Sequence, residues 1–235
     1  MNTTIVDDIN KHGFATIPDV IGSKDIAVLI EATAIANFAR STRGDDVFGA
    51  RNILSVPEIQ SLSRNTKIMS LVESAIGPGS IAVRGIFFDK TPAANWPVAW
   101  HQDLSLAVSQ RHDVTGWGNW SIKAGIHHVQ PPPEILEHMI TLRIHLDESS
   151  ADNGPLRVLP RSHRRGRIPA NEIASLRGEI PEHTCLAATG SALAMKPLIL
   201  HASSAARKPD HRRVIHVEYA PKALLPSQLN WAFAP

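Results

Sequence analysis

The residues most able to do chemistry in this sequence are a histidine and an aspartate two positions apart, His101 and Asp103. On an extended strand, side chains two positions apart point to the same face, so this pair could hold adjacent positions on one metal ion. His201 follows a short apolar run and could supply a third ligand from far along the chain. Two histidines and one carboxylate with open coordination positions are the arrangement of non-haem ferrous oxygenases.

Arg212 completes this set, because it opens a strand-like run, 212–217, downstream of His201. A histidine–x–aspartate tripeptide alone is weak evidence, since such tripeptides often arise by chance. Combined with a distal histidine and an arginine at this spacing, all on strands, the pattern is far more specific. It favours a metal site of the non-haem ferrous oxygenase type.

The elements that must position these residues are short strands, which begin after the stop signal Gly77-Pro78-Gly79. Many short strands separated by turn signals, with helices before rather than between them, predict a sandwich or barrel. Alternation is cleanest in 139–147, where Thr141, Arg143 and His145 share the polar face. The predicted strands are 81–88, 98–103, 139–147, 156–159, 185–188, 191–195, 198–201 and 212–219.

The N-terminal third has a different character. A short strand is predicted at 13–18, followed by a helix that Ser23 can cap. Residues 42–55 are predicted to be an irregular connection, and 57–77 carry helical apolar stripes behind Pro57. The first 79 residues are therefore expected to be a mostly helical flank.

The interval 104–138 starts directly at the proposed metal pair and has no clear strand. A long irregular stretch in a compact domain tends to be a lid or binding loop, and we expect a lid here. The plainer alternative is a surface excursion whose tryptophans cover the barrel. The candidate substrate contacts in this interval are Trp117, Trp120 and Lys123, beside His127 and His128.

Composition limits the class of protein. The 235 residues suit one domain spanning 1–235, with 43% hydrophobic and 20% charged residues. A formal net charge of +2 gives no case for nucleic acid or an acidic membrane surface. Cys185 is the single cysteine, more plausibly a buried spectator than a catalyst, which favours a reducing compartment. With neither a signal peptide nor a transmembrane stretch in the sequence, we expect a cytoplasmic protein.

At family level the chain resembles the phytanoyl-CoA dioxygenase family of 2-oxoglutarate-dependent ferrous oxygenases. The matching segments lie within about residues 81–220, and the N-terminal helices are in keeping with the family. The resemblance implies a double-stranded β-helix (jelly roll, cupin-like) core at 80–220 behind the helical region. The segments are Trp100-His101-Gln102-Asp103, then 152–160 with Ser162-His163, and His201-Ala202-Ser203 leading to Arg212.

Carried over residue by residue, the resemblance makes His101, Asp103 and His201 the ligands of Fe(II). Arg212 would bind the distal carboxylate of 2-oxoglutarate, with Ser203 as a further hydrogen-bonding group; strand alternation turns Arg213 to the other face. Thr141 and Arg143 would face the lumen, and Lys90 is a further cosubstrate candidate. One departure is Pro160-Arg161-Ser162-His163, where the family commonly has Pro-Gly-Ser-His, which bears on the local turn and not on the iron site.

The resemblance further implies hydroxylation, or a related oxidation, of an unactivated C–H bond, with O2 consumed and succinate and CO2 released. Halogenases of related fold have a small residue in place of the carboxylate, so Asp103 argues against halogenation. We expect a small-molecule substrate. Trp117, Trp120, Lys123 and His145 are candidate contacts, and Arg143, Lys123 or Arg161 could bind an anionic group on it.

Other interpretations stay open from the sequence. A cupin-like metalloprotein with zinc or manganese could act as an isomerase or hydrolase, although such chemistry needs no arginine for a cosubstrate. A non-enzymatic sensor of 2-oxoglutarate is a third possibility. His145 or His216 could also replace His201 as the third metal ligand. The sequence does not settle the substrate or the oligomeric state.

Overall fold

The computed structural model describes residues 3–35, 39–43 and 46–233. Its helices are α1 Thr3–His12, α2 Ser23–Ile35, α3 Pro57–Ser63, α4 Thr66–Ile76, α5 Pro133–Glu137 and α6 Ile173–Glu179. Its strands are β1 Phe14–Ile17, β2 Ala39–Arg43, β3 Asp46–Arg51, β4 Ser80–Lys90, β5 Val98–His101, β6 Leu106–Val108, β7 Gly118–Lys123, β8 Ile126–Gln130, β9 Ile140–His145, β10 Leu156–Val158, β11 His183–Cys185, β12 Ala192–Met195, β13 His201–Ser203 and β14 Arg212–Pro221.

The strands form antiparallel sheets that enclose a lumen. The larger sheet has the order β1-β12-β9-β14-β4-β3-β2, and the facing sheet has the order β11-β10-β13-β5. A third, small sheet has the order β6-β8-β7. This arrangement, with helices before it, confirms the predicted jelly-roll core. The helices of the N-terminal flank cover the outer face of the larger sheet.

The outer face of the larger sheet packs against helices α1 to α4. Ile140, Leu142 and Ile144 of β9 belong to the same buried cluster as Ile59 and Ile68 of the helices. Burial of such side chains is worth roughly 1.5–3 kcal/mol each, so this layer holds the sheet in place. The opposite face of the same sheet is left for polar side chains that point into the lumen.

The described part of 42–55, residues 42–43 and 46–55, is not an irregular connection, so that prediction was wrong. β2 and β3 pair as a hairpin, and β3 also pairs with β4, with Ala50 opposite Phe87. Gly49 allows the close approach, because a Cβ there would lie 2.9 Å from the Phe87 carbonyl oxygen. Pairing with the long strand β4 outweighs the polar local sequence, which is a tertiary effect that periodicity does not report.

The interval 104–138 also differs from the prediction, because it contains strands β6 to β8 and helix α5. Ala124 and Gly125 have φ of 51° and 77°, the left-handed pair that a tight hairpin turn requires. Alanine is an unusual residue for this conformation, which is why the turn was not recognised. Within the described ranges, no helix combines the length and apolar character needed to cross a membrane.

Cys185 lies at the end of β11 and is 2% exposed. Burial raises the pKa of its thiol to about 12, which keeps it as the unreactive neutral form.

Candidate metal centre and anion pocket

Three side chains from the facing sheet converge at one end of the lumen. His101 ends β5 and His201 begins β13, and the two are direct partners in the antiparallel ladder. Their ring centroids are 4.2 Å apart. The Asp103 carboxylate lies 3.8 Å from Nε2 of His101 and 3.7 Å from Nε2 of His201. The structure therefore brings together the three residues expected to bind a metal.

Asp103 is not on the strand, as the sequence argument had assumed, because β5 ends at His101. Its position is fixed by hydrogen bonds of the segment that follows the strand. The Asp103 N–H donates to the Pro197 carbonyl at 3.0 Å. Similarly, the apolar run 198–200 precedes β13 instead of forming part of it. Each ligand-bearing segment thus leaves or enters its strand at the metal site.

Gln102 holds this segment, and sequence reasoning gave it no role. Its amide nitrogen donates to the carbonyls of Leu198 at 2.6 Å and Gly166 at 2.8 Å. Its amide oxygen accepts from the Ile168 N–H at 2.8 Å. Three hydrogen bonds to the backbone leave the buried amide satisfied and join the Asp103 segment to the run before His201. The only signal for this role was its place between the two ligands.

Both histidines are held in the tautomer that a metal ligand needs. Nδ1 of His101 is 2.8 Å from the Ala99 carbonyl, and Nδ1 of His201 is 3.0 Å from the Ile199 carbonyl. Because a carbonyl only accepts, each Nδ1 carries a proton, so the neutral form of each ring has its lone pair on Nε2. Both Nε2 atoms are on the side of the Asp103 carboxylate.

The protonation states also suit a divalent cation. Burial lowers the pKa of His201 to about 4, so the imidazole is neutral near pH 7. Burial by itself would raise the pKa of Asp103, but His201, His216 and His101 bring it below its ordinary value. Oδ2 of Asp103 is buried without a hydrogen-bond partner among the described residues. Two imidazoles facing one carboxylate oxygen that lacks a hydrogen-bond partner fit a cation between them.

A cluster of three cations, Lys90, Arg143 and Arg212, lies in the same cavity. The Lys90 ammonium donates to Ser203 Oγ at 3.2 Å and to the Ser204 carbonyl. Arg212 donates to the Gly154 carbonyl. The Nε atoms of Arg143 and Arg212 are buried with no partner among the described residues. We call these three side chains the inner basic cluster.

The charges in the inner basic cluster oppose one another. Burial, then the charges of Arg212 and Arg143, lower the pKa of Lys90 to about 7. Burial and Arg143 lower the pKa of Arg212 to about 9. A bound anion such as a carboxylate would relieve this repulsion and satisfy the open donors. Arg213, next in sequence, faces the other side and binds Asp147 through two hydrogen bonds of 2.8 Å.

A second group of polar residues lies beside Asp103. His216 is 3.0 Å from Nη1 of Arg143 and 3.3 Å from Glu218, and Glu218 accepts from Arg84 at 2.9 Å. Asp103, His216 and Glu218 could also surround a cation, since their ligand atoms lie within 4.8 Å of one another. His216 and Glu218, however, are engaged with arginines. In the set of His101, Asp103 and His201, by contrast, neither histidine Nε2 is hydrogen-bonded to an arginine.

Thr141 and His145 are buried on the lumen side of β9 but do not line the cavity. The Thr141 hydroxyl and both His145 ring nitrogens have no hydrogen-bond partner among the described residues. Burial, with the charges of Arg143 and Arg212, lowers the pKa of His145 to about 3. His145 is therefore a neutral residue behind the inner basic cluster.

The cavity has a volume of about 280 Å³. Trp117 does not line it and packs instead with a buried cluster that includes Leu136 and Trp231. Trp120 lies under the guanidinium of Arg111 at 5.6 Å, and Arg161 sits near His12, to whose carbonyl its N–H donates. The cavity is lined by Arg51, Arg84, Ile86, Phe88, Lys90, Trp96, Val98, His101, Asp103, Arg143, Leu156, His201, Ser203, Arg212 and His216.

Arg51 and Arg84 were missed in the sequence. Arg84 shares the lumen face of β4 with Lys90 by alternation, which was a usable signal. Arg51 gave none, since β3 was not recognised as a strand. Lys123 is half-buried and does not line the cavity. Burial is the main cause of its lowered pKa, and the charges of Arg84 and Arg51 lower the pKa further.

Comparison with known proteins identifies relatives of this architecture. Residues 9–214 match the model of the family described as phytanoyl-CoA dioxygenase (PhyH). No curated protein matches the chain by sequence. Among solved structures, EctD from S. alaskensis with 2-oxoglutarate and 5-hydroxyectoine superposes with a TM-score of 0.74 at 14% identity, covering 95% of this chain and 77% of EctD.

Two further solved structures are similar. The epimerase SnoN in complex with Fe3+, alpha ketoglutarate and nogalamycin RO has a TM-score of 0.69 at 16% identity and covers 94% of this chain and 83% of SnoN. AviO1 from Streptomyces viridochromogenes Tue57 has a TM-score of 0.69 at 20% identity, and the match covers 96% of this chain and 97% of AviO1. At these identities the structures establish the fold alone.

Proposed function

We propose that this chain, which belongs to the phytanoyl-CoA dioxygenase family, oxidises an unactivated C–H bond of a small molecule while 2-oxoglutarate is converted to succinate and CO2. Fe(II), 2-oxoglutarate and O2 are the metal and cosubstrates of the family. The observation that carries the proposal is the position of His101, Asp103 and His201 in one cavity with the inner basic cluster.

In this proposal His101, Asp103 and His201 would hold the metal and leave part of its coordination sphere for 2-oxoglutarate and O2. When bound, Fe(II) together with 2-oxoglutarate supplies the activation of O2 that C–H oxidation requires. The backbone carbonyls that accept from Nδ1 of each histidine orient the imidazoles. Gln102 keeps the Asp103 segment in place.

Arg212 is proposed to bind the distal carboxylate of 2-oxoglutarate, with Lys90 and Ser203 beside it. Lys90 already contacts Ser203, and both line the cavity with Arg212. A guanidinium is suited to this role because it presents paired donors in a fixed geometry. The non-oxidative metalloprotein considered above gives no function to three cations gathered beside a metal site.

Hydroxylation is the outcome we propose, since Asp103 is present as a third protein ligand. The small sheet β6–β8 stands where a lid was expected. The Asn52 side chain donates to the Ala124 carbonyl at 3.1 Å, joining its hairpin to the end of β3. This contact supports a role for the hairpin in enclosing the cavity and excluding water.

The test adds Fe(II) anaerobically to metal-free protein, then 2-oxoglutarate, and measures the visible charge-transfer band of the chelate. We expect the band in the wild type. Arg212→Met should raise the 2-oxoglutarate concentration for half-maximal band by roughly 10- to 100-fold, the effect of losing a charged hydrogen-bonding pair. Arg213→Met is the matched control, because that side chain binds Asp147 on the other face.

Two results would contradict the proposal. Iron binding without any band would remove 2-oxoglutarate from the site and favour non-oxidative metal chemistry. An equal effect of the two arginine variants would mean that Arg212 has no special contact with the cosubstrate. If the band forms as expected, succinate release in air will identify oxidisable substrates among candidate compounds.

A further inference from the structure

A second basic cluster lies near the middle of strand β4, away from Lys90 at its end. It consists of Arg51, Arg84 and Lys123. Arg51 and Arg84 line the cavity, and Arg51 is opposite Ile86 in the ladder between β3 and β4. Arg84 and Lys90 are six residues apart on one strand, which corresponds to roughly 20 Å at ~3.3 Å per residue. The cavity therefore has one basic cluster at the end of this strand and a second near its middle.

Lys123 is placed near Arg51 by the contact between the small sheet and β3. Asn52 follows Arg51 and donates to the carbonyl of Ala124, which follows Lys123. Burial, then the charges of Arg84 and Arg51, lower the pKa of Lys123. The same two influences, burial and Arg84, lower the pKa of Arg51. The three cations are thus close enough to repel one another.

The chain neutralises only part of this charge. Glu218 accepts from Arg84 at 2.9 Å and is also 3.3 Å from His216. Among the described residues, Nη1 of Arg51 is buried and has no hydrogen-bond partner. Asp103 also acts to raise the pKa of Lys123, but the proposed function assigns that carboxylate to the metal. Glu218 then offsets one of the three cations, and an excess of positive charge remains. The inner basic cluster accounts for 2-oxoglutarate, so this excess has no ligand in the proposed function.

We propose that the substrate is a small organic anion whose carboxylate or phosphate group is bound by Arg51, with Arg84 and Lys123 beside it. This inference rests on the proposed function. Arg51 is the principal residue because it lines the cavity and keeps an open buried donor. Between the two basic clusters, Ile86 and Phe88 on β4 offer an apolar surface for the body of the substrate.

The test uses the anaerobic complex with Fe(II) and 2-oxoglutarate and measures binding calorimetrically. The probes are phenylacetate, indole-3-acetate and octanoate, each with its neutral amide, and phenyl phosphate. At least one acid should bind roughly tenfold or more tightly than its amide, since a charged hydrogen-bonding pair contributes on this scale. Phenyl phosphate compared with phenylacetate distinguishes a phosphate from a carboxylate group.

Arg51→Met should remove the preference for the anion, whereas Arg51→Lys should retain part of it. Arg165→Met is the matched control, because Arg165 is exposed and pairs with Glu179 outside the cavity. The inference is overturned if no acid or phosphate binds more tightly than the neutral amides, or if Arg51→Met keeps the preference.

The chelate band is recorded first for every protein. Its absence in the wild type would contradict the proposed function itself. An intact band with no preference for anions would contradict only the assignment of the second basic cluster.

Discussion

Lys90 and Arg212 are direct cross-strand partners on β4 and β14, with both side chains buried in one cavity. Like charges placed opposite each other on neighbouring strands destabilise a sheet. The arrangement becomes favourable when an anion lies between them. In the proposed function this anion is 2-oxoglutarate, whose charge would then offset the repulsion between the two side chains.

The pKa of Lys90 leads to a prediction about pH. Because its folded pKa is about 7, against an ordinary value of 10.5, the unfolded chain holds more protons between these values. The stability of the protein without metal or cosubstrate should therefore rise as pH increases from 7 toward 10, by up to a few kcal/mol. Chemical denaturation across this range should show a smaller slope for Lys90→Met, and an equal slope would contradict the assignment.

Substitution of single histidines distinguishes the two candidate sets of metal ligands. His201→Ala should lower Fe(II) affinity by more than roughly 100-fold, since it removes a ligand and not just a supporting contact. His145→Ala should leave Fe(II) affinity within a few-fold, because that ring lies outside both candidate sets. Anaerobic Fe(II) titration measures both. Strong binding by His201→Ala would instead favour the set that contains His216.

Gln102 should act as a positioning residue. Gln102→Leu removes three hydrogen bonds to the backbone and should lower the free energy of unfolding by roughly 2–3 kcal/mol. It should also weaken Fe(II) binding by roughly 10- to 100-fold, because Asp103 loses its support. Gln60→Leu, at an exposed helical position, is the control. A loss of stability with unchanged Fe(II) affinity would show that Gln102 supports only the fold.

Two glycines with positive φ separate turn strain from damage to the site. Gly154 and Gly125 have φ of 71° and 77°, so alanine at either should cost roughly 1–2 kcal/mol. At Gly154 a Cβ would also lie 2.5 Å from the Ser204 carbonyl and 3.1 Å from Lys90 Nζ, whereas Gly125 has nothing within 4 Å.

Gly154→Ala should therefore weaken 2-oxoglutarate binding, while Gly125→Ala should leave it unchanged. The chelate band gives the cosubstrate affinity, and denaturant titration gives the stability. Equal cosubstrate affinities in the two variants would mean that the Gly154 turn does not hold Lys90.

The sequence was most informative where function and strand alternation coincide. The faces of β9 and β14 follow from period-two patterns, which separate Arg212 from Arg213 and place Arg143 toward the lumen. The position of Asp103 beyond its strand could not be predicted, because it depends on contacts with the distant segment 197–198.

The position of Arg51 also could not be predicted from the sequence. Its place in the cavity comes from the pairing of β3 with β4, a long-range register that a polar local sequence does not indicate. The hairpin of β7 and β8 was not recognised because its turn has alanine at a position where glycine or asparagine is usual. The first error removed Arg51 from the candidate residues for the substrate, whereas Lys123 of the hairpin remained among them.

The two histidines proposed as metal ligands and the inner basic cluster lie on different sheets. His101 and His201 belong to the sheet of β5 and β13, whereas Lys90, Arg143 and Arg212 belong to the sheet of β4, β9 and β14. A keto acid bound to both would act as a non-covalent cross-link that joins the two walls of the barrel. Resistance to proteolysis, and with it the lifetime of the protein in a cell, would then depend on the supply of the cosubstrate.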